Sequence, residues 1–148
     1  MPRRISEGPG LLLLDTHVWV WYREGTEKRF APALLARLRR YGAEGMLRVS
    51  PLSGWEIATL VSKGRLALSR DVRTWVRQAL EAPGVRAAEF TAEIAVEAAL
   101  LGGTAPRDPA DRMLIATART LSATFVTADA EILAYGRGGN LRVLDAGG

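Results

Sequence analysis

Four consecutive leucines, Leu11 to Leu14, end abruptly at Asp15. An unbroken apolar run of this length predicts a short strand buried on both faces, and the acid that closes it opens a helical turn over Thr16 to Tyr22. Behind Pro32, Leu34, Leu35 and Leu38 recur at spacings of three and four, which predicts a helix over Ala33 to Tyr41. Met46 to Val49 is the second strand candidate. Ser50-Pro51 then marks a helix start, because proline is tolerated in the first turn, and that helix runs to about Lys63 before Gly64 stops it. Ser69 opens a further helix with Val72, Trp75, Val76 and Leu80 along one face, stopped by Pro83 and Gly84. Val85 to Phe90 predicts a third strand. Thr91 begins a helix that turns Ile94, Ala95, Ala98 and Leu101 inward and ends at Gly102 and Gly103. Asp108-Pro109 starts another, through Leu114, Ile115 and Ala118 to Leu121. Thr124 to Thr127 predicts a strand, Asp129 to Tyr135 a short helix and Leu141 to Leu144 a last strand. Strands alternating with helices specify an α/β fold, with a parallel sheet covered by helices on both faces.

Composition narrows the class. A chain of 148 residues, 48% hydrophobic and 24% charged, matches a single domain with its own core over 1–148, Met1 to Gly10 forming a frayed tail. The longest apolar runs fall far short of the roughly 18 residues of a membrane span. Four leucines after Arg3 and Arg4 are also fewer than the roughly 7 to 15 apolar residues of a secretion signal, so a soluble protein is expected. The absence of cysteine excludes disulfide frameworks, thiolate metal sites and cysteine nucleophiles, and fits a cytoplasmic location. The net charge of +4 is compatible with a polyanionic partner. All but two of the 20 basic residues are arginine, Lys28 and Lys63 being the exceptions; that suits bidentate phosphate contacts but is equally what a GC-rich genome would produce.

Four acids stand where a doubly wound sheet gathers its strand ends and helix starts: Asp15, Glu56, Asp111 and Asp129. Carboxylates brought together there repel unless they keep protons or surround a cation, so their meeting raises at least one pKa, and oxygen ligands select Mg²⁺ or Mn²⁺. Each acid also has a purely structural reading. Ser53-Gly54-Trp55-Glu56 fits a capping box, although Ser50-Pro51 is the better start and puts Glu56 in the second turn. Asp108 suits the N-cap with Asp111 three residues on, and Asp15 and Asp129 can each cap the helix that follows. His17, the only histidine, cannot build a nitrogen-rich zinc site and reads as a packing or hydrogen-bonding residue. Gly136, Gly138 and Gly139 match neither common phosphate-loop pattern and read as a turn.

Taken in order, Leu11 to Trp21 (LLLLDTHVWVW), Ser50 to Leu66 (SPLSGWEIATLVSKGRL), Asp108 to Ala118 (DPADRMLIATA) and Thr124 to Tyr135 (TFVTADAEILAY) resemble the PIN-domain family, and within it the VapC-type toxin ribonucleases of toxin-antitoxin pairs. The resemblance implies a three-layer α/β/α fold and a metal-dependent endoribonuclease. It makes Asp15, Glu56, Asp111 and Asp129 the catalytic, metal-binding set for Mg²⁺ or Mn²⁺, supported by Thr16, Thr127, Asp108 and Arg112. It further implies an RNA substrate, a small cognate antitoxin and a homodimer. Pro106-Arg107 departs from the histidine that relatives often carry before the third motif, which bears on substrate preference.

A haloacid-dehalogenase phosphatase would need a second Asp two residues after Asp15, where this chain has His17. The alternative from another class is a PIN-like module that binds RNA or protein without cutting. Trp19, Trp21 and Tyr22 offer a base-stacking platform or, as their helical spacing favours, core or a protein interface. Together with Leu34 to Leu38 they are dense enough to predict a surface for a second copy or an antitoxin.

Overall fold

The computed structural model describes residues 10–147, so the expected tail lies, apart from Gly10, outside the described residues. Among the described residues five strands and seven α-helices follow one another as β1 (Leu12–Leu14), α1 (Thr16–Glu24), α2 (Pro32–Ala43), β2 (Leu47–Val49), α3 (Pro51–Ser62), α4 (Val72–Glu81), β3 (Val85–Ala87), α5 (Ala92–Leu100), α6 (Pro109–Leu121), β4 (Thr124–Thr127), α7 (Ala130–Tyr135) and β5 (Val143–Asp145). The strands form one sheet in the order β3-β2-β1-β4-β5, and every pairing is parallel. From β1 the chain therefore winds outward through β2 to β3, then crosses back to lay β4 and β5 on the other side. The order reverses between β1 and β4. At such a switch point the following helices leave on opposite sides and open a crevice at the strands' carboxyl ends.

The leucine run is apolar throughout because β1 is central and covered on both faces. Successive side chains of a strand alternate, so Leu12 and Leu14 join one core layer with Val18, Trp19, Leu38, Ile57 and Trp75, while Leu13 joins the other with Leu114, Ile115, Phe125 and Ile132. In the first layer Trp19 and Trp75 meet edge to face at 5.2 Å, and the Trp75 indole N–H donates to Glu24 Oε2 at 2.7 Å. That geometry adds about 0.5–1.5 kcal/mol to what burial alone contributes.

The sequence expectations shift at four places. The helix assigned to Ser69 starts instead at Asp71, whose carboxylate accepts from the amides of Arg73 and Thr74, and Ser69 donates to Glu24. The third strand stops at Ala87, since Phe90 turns to pack with Ile94, Ala98 and Met113. The last strand begins at Val143 because the glycine segment forms a wide π-type turn over Gly136–Asn140, and Leu141 goes into the second core layer. The aromatic and aliphatic contact face is largely interior: Trp19, Leu34 and Leu38 are buried, and Trp21, Tyr22 and Leu35 pack against the same core. The large apolar side chains exposed among the described residues are Trp55, Val96 and Leu100.

Candidate active site

Each acid is delivered by an element whose start the sequence signals. Asp15 follows β1 directly and caps α1, its Oδ1 accepting from the Thr16 amide at 2.8 Å. Its own amide donates to the Val126 carbonyl of the neighbouring β4 at 2.9 Å, which ties the ends of the two switch-point strands together. Asp129 follows β4 and caps α7, with Oδ1 accepting from Glu131 N and Ile132 N. Thr127, fully buried, joins the two acids: its hydroxyl donates to Asp15 Oδ2 at 2.7 Å and accepts from the Asp129 amide at 3.0 Å.

Across the crevice, Ser50 caps α3 through the Leu52 amide, so Glu56 sits in the second turn and is free of capping. Its Oε1 accepts from the Thr16 hydroxyl at 2.6 Å, and that hydroxyl lies 2.8 Å from Ser53 Oγ. A threonine has one hydroxyl proton, so with Glu56 taking it, Ser53 must donate to Thr16. Ser53 is thus part of the site, a role its capping-box position disguised. The signal available was its i, i+3 spacing to Glu56, which places both on one helix face.

Asp111 arrives on the first turn of α6, which Asp108 caps by accepting from the Asp111 amide at 2.9 Å. No described residue donates a hydrogen bond to the Asp111 carboxylate. Burial pushes its pKa up first, and the negative charges of Asp108, Asp15, Asp129 and Glu56 push further, to about 7. The predicted acids therefore converge electrostatically on Asp111. Burial also raises Asp15 and Glu56, with the bond from Thr127 or Thr16 opposing it. His17 is exposed rather than packed inward, with its ring 6.3 Å from Trp21, and its charge opposes the upward shift of both these acids.

Arg112 spends its guanidinium on backbone carbonyls and not on the carboxylates. Its guanidinium donates to four carbonyls, Ala98 (2.9 Å), Ala99 (3.2 Å), Leu101 (2.7 Å) and Pro106 (2.9 Å), so it clamps the end of α5 and the following loop to the start of α6. That satisfies carbonyls left over at a helix C-terminus and fixes where Asp111 stands.

Among the described residues no three acidic or histidine side chains are gathered closely enough to hold a metal ion as they stand. The donor types nevertheless suit a hard divalent cation. All four are carboxylates, and among the described residues Asp111 has both oxygens uncommitted while Glu56 Oε2 and Asp129 Oδ2 accept no hydrogen bond.

A PIN-domain family model matches residues 12–138. The chain belongs to the PIN-domain family. This PIN domain is 30% identical over 124 residues to Ribonuclease VapC22 of Mycobacterium tuberculosis, an alignment covering 84% of this chain and 91% of that protein. Its fold is shared by VapBC2 from Rickettsia felis, solved bound to a DNA fragment from its promoter, at TM-score 0.60 and 15% identity over 91% of this chain and 98% of the other. It is shared also by FitAB bound to a DNA fragment (TM-score 0.62, 17% identity, 93% and 96% covered) and by FitAcB from Neisseria gonorrhoeae (0.57, 20%, 92% and 98%). The expected three-layer α/β/α architecture with a parallel central sheet is the one observed.

Proposed function

We propose that this PIN domain is an endoribonuclease that hydrolyses RNA phosphodiesters with Mg²⁺ or Mn²⁺, and that it is the toxin of a toxin-antitoxin pair. The observation that carries the reading is the field at Asp111, where four further carboxylates act on one half-buried acid at the switch point of the sheet. A helix cap alone has no need of that arrangement. The name of the M. tuberculosis relative supports ribonuclease chemistry, and the toxin-antitoxin complexes among the structural neighbours support a small antitoxin as partner.

Asp15, Glu56, Asp111 and Asp129 are the residues that would hold the cation. When bound, it supplies Lewis acidity, lowering the pKa of a coordinated water and neutralising charge on the leaving oxygen. The rest is done by the chain. Thr127 holds Asp15 and the start of α7 in fixed relation, Thr16 and Ser53 orient Glu56, and Arg112 positions Asp111 from behind. An acid with a pKa near 7 can retain a proton at neutral pH and release it when a cation approaches.

One domain over 1–148, a homodimer and a cytoplasmic location complete the proposal. Among the described residues no helix is long and apolar enough to cross a membrane. Purified protein incubated with single-stranded RNA is expected to cut it with Mn²⁺ and to stop in excess EDTA, and Asp111→Asn is expected to be inactive. Cleavage that persists in EDTA overturns the metal mechanism. RNA binding with no cleavage, and no uptake of millimolar Mn²⁺, establishes the non-cutting binding module instead.

A further inference from the structure

The edge of the sheet opposite the acids carries a second feature. Where β4 and β5 begin, a cavity of about 490 Å³ opens between the end of α6 and the glycine turn. Arg119, Arg142, Asn140, Ser122, Gly136 and Gly139 line it, and its lining contains no aspartate or glutamate. Both arginines are fixed by neutral oxygens. Arg119 Nη1 donates to the Tyr135 hydroxyl at 3.1 Å, and Arg142 Nη2 donates to the Ser122 carbonyl. Neither guanidinium pairs with a carboxylate among the described residues, and Glu93 and Glu97 line a separate groove that shares Arg119.

The shape of the turn keeps the cavity open. A Cβ at Gly136 would lie 2.7 Å from both methyl carbons of Val143, and Gly139 has φ +90°, so neither position accommodates a side chain. Asn140 is held by its own side-chain bond to the Tyr135 carbonyl at 3.2 Å. The two exposed arginines each hold one neutral oxygen and keep further N–H groups, and with both guanidiniums in one lining the cavity suits an oxyanion.

We propose that this pocket binds a phosphate group through Arg119 and Arg142. The phosphate can come from the backbone of the RNA, which rests on the ribonuclease reading above, or from a free phosphate or nucleotide, which does not. The RNA source is geometrically reachable. Asp111 and Arg119 are eight residues apart on α6, about 12 Å along its axis. That is three to four stacked nucleotides at about 3.4 Å each.

The test measures RNA binding in EDTA, where no cutting occurs, as a function of salt for the wild type, the double variant Arg119→Gln/Arg142→Gln, and Arg86→Gln on the far edge strand β3. A parallel arm measures melting with and without inorganic phosphate. If RNA supplies the phosphate, the double variant flattens the slope of log K against log salt by about 1.4, two contacts at about 0.7 each, while Arg86→Gln leaves it unchanged. If the free anion is the ligand, inorganic phosphate raises the wild-type melting temperature and not that of the double variant. A double variant that melts with the wild type in plain buffer yet shows neither difference overturns the proposal. Arg119→Lys/Arg142→Lys, which keeps the charge, is the second variant should the glutamines unfold, and it must then show reduced phosphate or RNA affinity for the proposal to stand. Cleavage that is intact while this site fails, or absent while phosphate still binds, separates the two readings.

Discussion

Asp111→Asn should make the metal-free protein more stable while abolishing cleavage. The Asp111 carboxyl moves from an ordinary value of 3.8 to about 7, first through burial and then through the charges of Asp108, Asp15, Asp129 and Glu56. At about 1.36 kcal/mol for each tenfold change in acidity, that rise sets an upper bound of about 4 kcal/mol on the penalty for ionising it in the folded chain. Asp111 is only half buried, so solvent screens much of the repulsion, and roughly 1–2 kcal/mol is the working expectation. The folded state holds the proton more tightly than the unfolded one, so the penalty is absent below pH 4. It grows as the unfolded chain ionises and is complete above pH 7.

Asparagine keeps the shape, loses the charge and breaks no side-chain bond to a described residue, since it is the backbone amide of residue 111 that donates to the Asp108 cap. In EDTA at pH 8 the variant should therefore melt roughly 3–6 °C above wild type, given about 2–4 °C per kcal/mol for a domain of this size. The gap should close toward pH 4. An apo variant that melts below wild type at pH 8, or an offset that ignores pH, would refute the repulsion argument. Asp15→Asn provides the contrast. Although the Asp15 pKa is also raised, both its oxygens are bonded, and an amide in place of Oδ2 leaves the Thr127 hydroxyl proton without an acceptor. That variant should lose roughly 1–2 kcal/mol, against the simple expectation that neutralising any of the four acids is harmless.

Thr127→Val keeps the shape but strips the buried bridge between Asp15 and the Asp129 amide; urea denaturation should show a loss of roughly 2 kcal/mol, and RNA cleavage should fall with it. Arg112→Lys replaces a planar fork serving four carbonyls by a point charge, and the same measurement should report about 2 kcal/mol. Gly84→Ala would place a Cβ 2.0 Å from the Gly42 carbonyl oxygen at φ +89°, so thermal melting should show a loss of about 3 kcal/mol or more, or no folded protein.

What could be seen in the sequence, and what could not, divides along the range of the interactions involved. Strand β1 and helices α3 and α6 were legible because their signals are local: a run of leucines, Ser50-Pro51 and Asp108-Pro109 act on their immediate neighbours. The α4 start was misplaced because Ser69 and Asp71 are both good caps, and what separates them is Glu24, 45 residues from Ser69 in the chain, taking the Ser69 hydroxyl. Aromatic density on α1 left core and contact surface both open, and the packing of Trp19 against Trp75 from α4 and the rest of its layer decides that Trp19 is core. The acids show the same division within single residues. Asp15 and Asp129 each cap a helix with one oxygen, and that bond does not preclude the proposed role of either as a site acid. The proposed second role depends on β1 and β4 lying side by side, a pairing between segments more than a hundred residues apart. No spacing along the chain carries that information, and the order of strands supplies it.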